Sequence, residues 1–367
     1  MKKYIFTIFV NLLVVLILLI IIEGLSQAFF YKITGRILYK GENTNEISYH
    51  HKLYERHPFL GVISRKNVSI TYKGKTITTT AIRTRWTGAP IDDSHLKRIA
   101  ILGGSTAFCS MVSDEDSWPA LLQKELGQSY AVINYGVQGY SSAESLIQLL
   151  LLVPEENPDI VIFYGGWNDI ANYHDPNLSP DYFTEGIKQV ESNLNIPFSE
   201  DQFSLFKYLG DRSATVKFTR IISDHFKKYK SIEFKGYGTP DHFVDRIYLR
   251  NLRTMRLLVS SFDAKSSMIF VPQILNDSDF IGNPHPRFWS KYINDNSMPV
   301  LMNRFNGLMG QACTKTDDKC FVLNDVLKVS WAPTDFVDDG HFNRKGSEKF
   351  VKIIARQVKA IYETTNK

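Results

Sequence analysis

Ser105 follows a short apolar run, Arg98-Ile99-Ala100-Ile101-Leu102, and two glycines, Gly103 and Gly104. Small residues before a serine let the backbone turn sharply and leave the hydroxyl exposed, as a nucleophile requires. The same turn also reads as an ordinary cap or a phosphate-binding turn. It lacks the Gly-x-Ser-x-Gly elbow of the α/β-hydrolases and the GxxxxGK[ST] pattern of a P-loop. Late in the chain, Asp338-Asp339-Gly340-His341 sets an acid three residues before a histidine. Such an aspartate can reach the imidazole ring, fix its tautomer and stabilise the imidazolium formed when a nucleophile gives up its proton. Asp339 competes for that role, and an incidental surface loop is the plainer reading of the motif taken alone. Between these ends lie Asn134-Tyr135-Gly136-Val137-Gln138-Gly139 and Gly165-Gly166-Trp167-Asn168-Asp169. The N–H groups of Ser105 and Gly139 with the Asn168 amide would supply three neutral donors to a developing oxyanion. Each glycine, taken separately, reads equally well as a turn residue.

These residues need elements to hold them, and the hydropathy pattern supplies a regular series. The run at 98–102 reads as a buried strand. Ser117 and Pro119 open a helix that Gly127 closes. A second strand at 132–135 leads to a helix capped by Ser141 with Glu144. A third strand covers 160–164, and a helix from about 245 to 262 precedes a fourth at 267–271. A helix over 298–312, a strand at 320–323 and an amphipathic helix over 345–362 complete the order. Strands alternating with helices imply a parallel sheet covered on both faces, a three-layer α/β/α sandwich. Ligand sites in such sheets lie at the carboxyl ends of the strands. The polar motifs fall just after strands one, two, three and five.

Four blocks in this order resemble the SGNH (GDSL-like) hydrolase family. Its serine block is similar to Gly103-Gly104-Ser105-Thr106, its glycine block to the segment ending at Gly139, and its Gly-x-Asn-Asp block to Gly166 to Asp169. Its Asp-x-x-His block is similar to Asp338 to His341, so the resemblance runs over about residues 97 to 360. It implies an SGNH, flavodoxin-like fold with Ser105 as nucleophile, His341 as general base and acid, and Asp338 as its orienter. Ser105, Gly139 and Asn168 would form the oxyanion hole, and no metal or organic cofactor is implied. The first block departs from the family's Gly-Asp-Ser form, and Cys109 stands where related sequences often carry glycine. Relatives with one N-terminal anchor point to a substrate such as an acetylated exported glycan. A lipid ester or thioester, acyl transfer to a sugar hydroxyl, and a non-catalytic glycan-binding scaffold are the alternatives. Trp167, Tyr173, Tyr182 and Phe183 could stack on sugar rings or serve in packing.

The chain has 367 residues, long enough for one large α/β domain with additions or for two smaller domains. Its net charge of +5 is spread thinly, with a modest cluster at Lys227, Lys228 and Lys230, so nucleic acid is not an expected partner. Met1-Lys2-Lys3 precedes a charge-free run from Ile5 to Ile22. A helix of that length rises about 27 Å, close to the hydrocarbon thickness of a bilayer. The leading lysines favour a cytoplasmic N-terminus, which places the remainder outside. Ser26-Gln27-Ala28 loosely resembles a cleavage site, so a removed signal peptide is the rival to a retained anchor. The expected organisation is an anchor over 1–31, a partly β approach segment over 32–97, and a catalytic domain over 98–367 with a variable insertion near 172–244. In the approach segment two short strands meet at a turn near Gly74. Cys313 and Cys320 suit either a short-loop disulfide or two separate thiols, leaving Cys109 unpaired. No CxxC or HExxH motif points to a metal.

Overall fold

A computed structural model describes residues 2–34, 44–90, 96–175, 178–179, 213–216, 218–219, 239–263, 266–278, 280, 287, 289–290, 292–313 and 318–365. Most of the expected insertion at 172–244, including Tyr182, Phe183, Lys227, Lys228 and Lys230, lies outside the described residues. The chain divides into two compact units, Met1–Ser48 with Ser199–Phe234 and Tyr49–Phe198 with Lys235–Lys367.

The first unit contains α1 (Lys2–Thr34). Within it, Phe6–Phe29 has a mean hydropathy of 3.0 and no buried side chains, so by length and composition it can cross a membrane. Its 24 residues would span about 36 Å, more than the roughly 30 Å hydrocarbon layer.

The second unit is built on five parallel strands, β5 (Lys97–Gly103), β6 (Tyr130–Asn134), β7 (Ile160–Tyr164), β8 (Ser267–Phe270) and β9 (Cys320–Val322). Four shorter strands precede them in the chain: β1 (Tyr54–His57), β2 (Gly61–Ser64), β3 (Ser69–Tyr72) and β4 (Lys75–Thr78). The sheet order is β6-β5-β7-β8-β9, so successive connections leave β5 in opposite directions. That reversal opens a crevice at the carboxyl end of β5, where Ser105 follows.

Alternate strand residues feed two cores. Ala100, Leu102, Ile133, Val161, Phe163, Met268 and Phe270 pack on one face, under α5 (Ser142–Leu151), α7 (His242–Phe262) and α8 (Met298–Ala312). Ile99, Ile101, Val132, Ile160, Ile162 and Ile269 pack on the other, against α4 (Trp118–Leu126) and α9 (Arg344–Thr365). Burial on both faces explains why the strands read as unbroken apolar runs. Each Val, Leu, Ile, Phe or Met side chain among them contributes about 1.5–3 kcal/mol on burial. The helices start where the sequence marks them: Ser117 accepts from the Ala120 N–H, and Ser141 and Glu144 form a capping box. Cys313 and Cys320 are bonded, with Cα atoms 5.4 Å apart, and tie the end of α8 to β9.

The approach segment forms two antiparallel hairpins, β1–β2 and β3–β4. The second has the expected turn at Gly74; the first adds a pair of strands to that expectation. Leu53, which ends α2 (Thr44–Leu53), packs with Tyr54, Val62 and Ile77 on Phe108, Val137 and Tyr140. The hairpins therefore back the two loops that follow β5 and β6.

Candidate active site

Ser105 opens the short helix α3 (Ser105–Phe108) directly after β5. Gly103 has φ +147°, and a Cβ there would lie 2.0 Å from the Tyr164 carbonyl oxygen. A Cβ on Gly104 would lie 2.7 Å from Asn168 Nδ2. The glycine pair is required by close approach of the β7 end and of Asn168.

The far end of α3 is held from the approach segment. Arg85 is 1% exposed, and its Nη1 donates to the carbonyls of Phe108 and Cys109. Its Nη2 donates to Val112 O at 2.8 Å, and its Nε to Asp114 at 3.3 Å. A cation at the carboxyl end of a helix satisfies carbonyls that have no intrahelical partner. Cys109 takes the left-handed conformation, φ 59° and ψ 47°, which explains why glycine suits this position. Burial raises its thiol to about 12, so it is a packed, protonated side chain rather than a nucleophile.

Asn168 stands in the first turn of α6 (Trp167–Ile170), after β7. Its Nδ2 donates to the Tyr140 carbonyl at 2.8 Å, which uses one of its two N–H groups and ties the β7 loop to the β6 loop. Asp169 makes a second tie. It accepts from the Ser142 N–H at 2.9 Å and from the Ser142 hydroxyl, which in turn accepts from Asn251 Nδ2 at 2.9 Å. Burial lifts the Asp169 carboxyl to about 7, opposed by the two Ser142 bonds.

His341 Nδ1 lies 2.9 and 2.8 Å from the two oxygens of Asp338. The Gly340 and His341 N–H groups also donate to Asp338, at 2.9 and 2.8 Å. Burial alone would raise this carboxyl. The His341 bond and charge, with the two backbone donors, outweigh that and hold it at about 2. Asp339 is engaged elsewhere, accepting from Arg287 Nη2 at 2.9 Å. The three-residue spacing thus selects Asp338 as the imidazole's partner. His341 Nε2 is buried and, among the described residues, has no hydrogen-bond partner.

Ser105, Asn168, Asp338 and His341 line one cavity of about 300 Å³. Gly139 is not among its lining residues; with φ +82° it sits in the β6 loop beside Tyr140. The other walls include Trp167, Trp289, Ile170, Ile293 and Met298. The Trp167 and Trp289 rings lie 5.2 Å apart. Tyr173 is fully buried against Phe305 and hydrogen-bonded to Asp245, so it packs the core instead of facing a ligand. Among the described residues no cluster of His, Cys, Asp and Glu could hold a metal. A hydroxyl, an imidazole with an unengaged nitrogen, its carboxylate and an amide donor on one cavity suit acyl transfer.

The GDSL-like lipase/acylhydrolase family model matches residues 101–220, which contain Ser105, Gly139 and Asn168. Over that stretch the chain is similar to the SGNH (GDSL-like) hydrolases. Among similar proteins, esterase TesA of Pseudomonas aeruginosa is 35% identical over 74 residues, 19% of this chain and 37% of that protein. An arylesterase of Vibrio mimicus is 28% identical over 104 residues, 27% of this chain and 52% of that protein. The chain thus matches about half or less of the length of these two proteins. A crystal structure of TesA aligns with 72% of this chain and 99% of its own, at 16% identity and a TM-score of 0.41.

Proposed function

We propose that the protein is a serine ester hydrolase with Ser105 as nucleophile, His341 as general base and Asp338 as the group that orients it. The observation that carries this reading is the Asp338–His341 pair on the same cavity as Ser105, with His341 Nε2 unengaged. Ser105 attacks an ester carbonyl and passes its proton to Nε2, while the Asn168 amide and the Ser105 N–H on the cavity wall receive the oxyanion; a third donor from Gly139 would require its loop N–H to reach the same cavity. His341 then protonates the departing alcohol, and water attacks the acyl-serine by the same route in reverse. Asp338, held ionised, offsets the charge on the imidazolium throughout.

The substrate we favour is an acetyl or other short acyl ester on an exported glycan. Two tryptophan rings on the cavity wall offer flat faces to a sugar ring beside the reacting ester. The apolar span at the N-terminus, with lysines before it, supports a single-pass anchor with the catalytic unit on the outer side of the membrane. The test is hydrolysis of a short-chain aryl ester and of an acetylated polysaccharide by the wild type and Ser105→Ala. Turnover that vanishes with Ser105 supports the assignment, and turnover that survives the substitution sinks it. Release of free acetate favours hydrolysis; recovery of the acetyl group on an added glycan would redirect the reading to acyl transfer.

A further inference from the structure

Glu23 is the single charged residue between Phe6 and Phe29, the stretch apolar enough to span a membrane. A carboxylate in such a place is costly unless it is paired or hydrogen-bonded, and its partner then marks a working contact. Glu23 has such partners within its own compact unit. It accepts from the Ser213 hydroxyl at 2.6 Å, the Ala214 N–H at 2.8 Å and the Thr215 N–H at 3.2 Å. Gln27, one turn further along α1, adds a fourth donor at 2.7 Å. The contact continues beyond Glu23. The Ser26 and Thr215 hydroxyls lie 3.0 Å apart, and the Phe29 and Phe218 rings 5.5 Å apart. Residues 23, 26 and 29 follow one side of the helix at three-residue intervals.

The arrangement fits the boundary of a bilayer. Glu23 lies about 9 Å inside the end of the span, shallow enough for a polar partner to reach it from the headgroup region. In bulk water three such bonds would contribute little, because the donors and the carboxylate would be equally well hydrated. Next to hydrocarbon the alternative is a desolvated charge, so the same bonds are strongly favoured. Phe218 against Phe29 adds an aromatic contact at the depth where rings collect in membranes.

We propose that Ser213, Ala214, Thr215 and Phe218 belong to an intramolecular docking segment that seats on the outer end of the membrane span through Glu23, Ser26 and Phe29. The span is then a permanent structural part of the mature protein, because cleavage after Ala28 would carry Glu23 and Ser26 away. The segment belongs to the insertion between α6 and α7, so the contact fixes part of that insertion at the membrane interface. The inference makes no use of Ser105 or of ester chemistry.

The test uses the full chain in its own membranes. Ser26→Cys with Thr215→Cys is compared with Leu19→Cys with Thr215→Cys, since Leu19 lies about 10 Å further along the axis. Disulfide-linked peptides are read by mass spectrometry together with the mature N-terminus. The 26–215 product should exceed the 19–215 product by at least about tenfold, given the short reach of a disulfide. The N-terminus should fall before Phe6. A mature N-terminus after Ala28, or equal yields of the two products, overturns the proposal. A photoreactive residue at Ser26 gives a readout free of paired cysteines. Attachment to residues 213–218 supports the docking, and attachment to lipid alone contradicts it.

Discussion

Both oxygens of Asp338 lie within hydrogen-bond distance of His341 Nδ1, while the adjacent Asp339 turns to Arg287. Two neighbouring carboxylates on one loop are thereby given different work. Asp338→Asn should lower kcat on an aryl ester by about 10³–10⁴-fold with little change in KM, because an amide supports the wrong imidazole tautomer. Asp339→Asn breaks an ion pair whose arginine is half exposed, worth at most about 1 kcal/mol, and should change the rate by less than about fivefold. Equal losses in the two variants would contradict the division of roles.

The pH dependence of stability separates two carboxylates, the partly exposed Asp338 and the buried Asp169, by sign. Asp338 is depressed from 3.8 to about 2, so its contribution is fully present above pH 3.8 and is lost as pH falls toward 2. Asp169 is raised from 3.8 to about 7, so the folded state keeps a proton that the unfolded state releases. Its effect is a loss of stability as pH rises from about 4 to about 7. Asp169→Asn should flatten the fall in Tm across that window, and Asp338→Asn should leave it in place. A Tm profile unchanged by Asp169→Asn would show that the carboxyl is not held protonated.

Asn168 both faces the cavity and bonds the Tyr140 carbonyl. Asn168→Ala should lower kcat by about 10²–10³-fold, the usual effect of removing an oxyanion donor. Losing the tie to Tyr140 should also cost about 1 kcal/mol in stability. Asn168→Asp keeps the size but replaces the donors with acceptors, so it should recover neither the tie to the Tyr140 carbonyl nor the rate. Rate recovery in that variant would argue against an oxyanion role.

Arg85 is expected to matter for Ser105 from a distance. Arg85→Met removes the donor to the carbonyls after α3 and strands Asp114, whose carboxyl burial already raises. Breaking a buried pair in this way costs about 3–5 kcal/mol. Chemical denaturation should show that loss, and Arg85→Met with Asp114→Leu should recover part of it. Additive losses in the double variant would mean that the two side chains do not act as a pair.

Much of this site is legible in the amino-acid sequence, for a physical reason. Strands buried on both faces have to be apolar runs, and the chemistry sits at their ends, so Leu102-Gly103-Gly104-Ser105 and Tyr164-Gly165-Gly166-Trp167-Asn168 stand out. The Asp338–His341 pair is legible because it is local, three residues apart on one loop. Arg85 is not, since nothing in Arg83-Thr84-Arg85-Trp86 marks which arginine folding will place under α3. Nor is the Asn251–Ser142–Asp169 chain, whose first two members are 109 residues apart. The β1–β2 hairpin escapes a sequence reading because Tyr54-Glu55-Arg56-His57 shows no clear alternation. Trp289 and Ile293 are equally silent, because an apolar side chain in a variable stretch does not tell which cavity it lines.

Covalent labelling is the sharpest probe of Ser105 as a nucleophile activated by His341. The full chain is treated with a fluorophosphonate and digested, and the modified peptide is sequenced by mass spectrometry. A single modified residue, Ser105, is expected, with labelling abolished in Ser105→Ala and slowed by orders of magnitude in His341→Ala. Failure of the folded wild type to label, or labelling at Ser105 that proceeds unchanged without His341, would contradict that assignment.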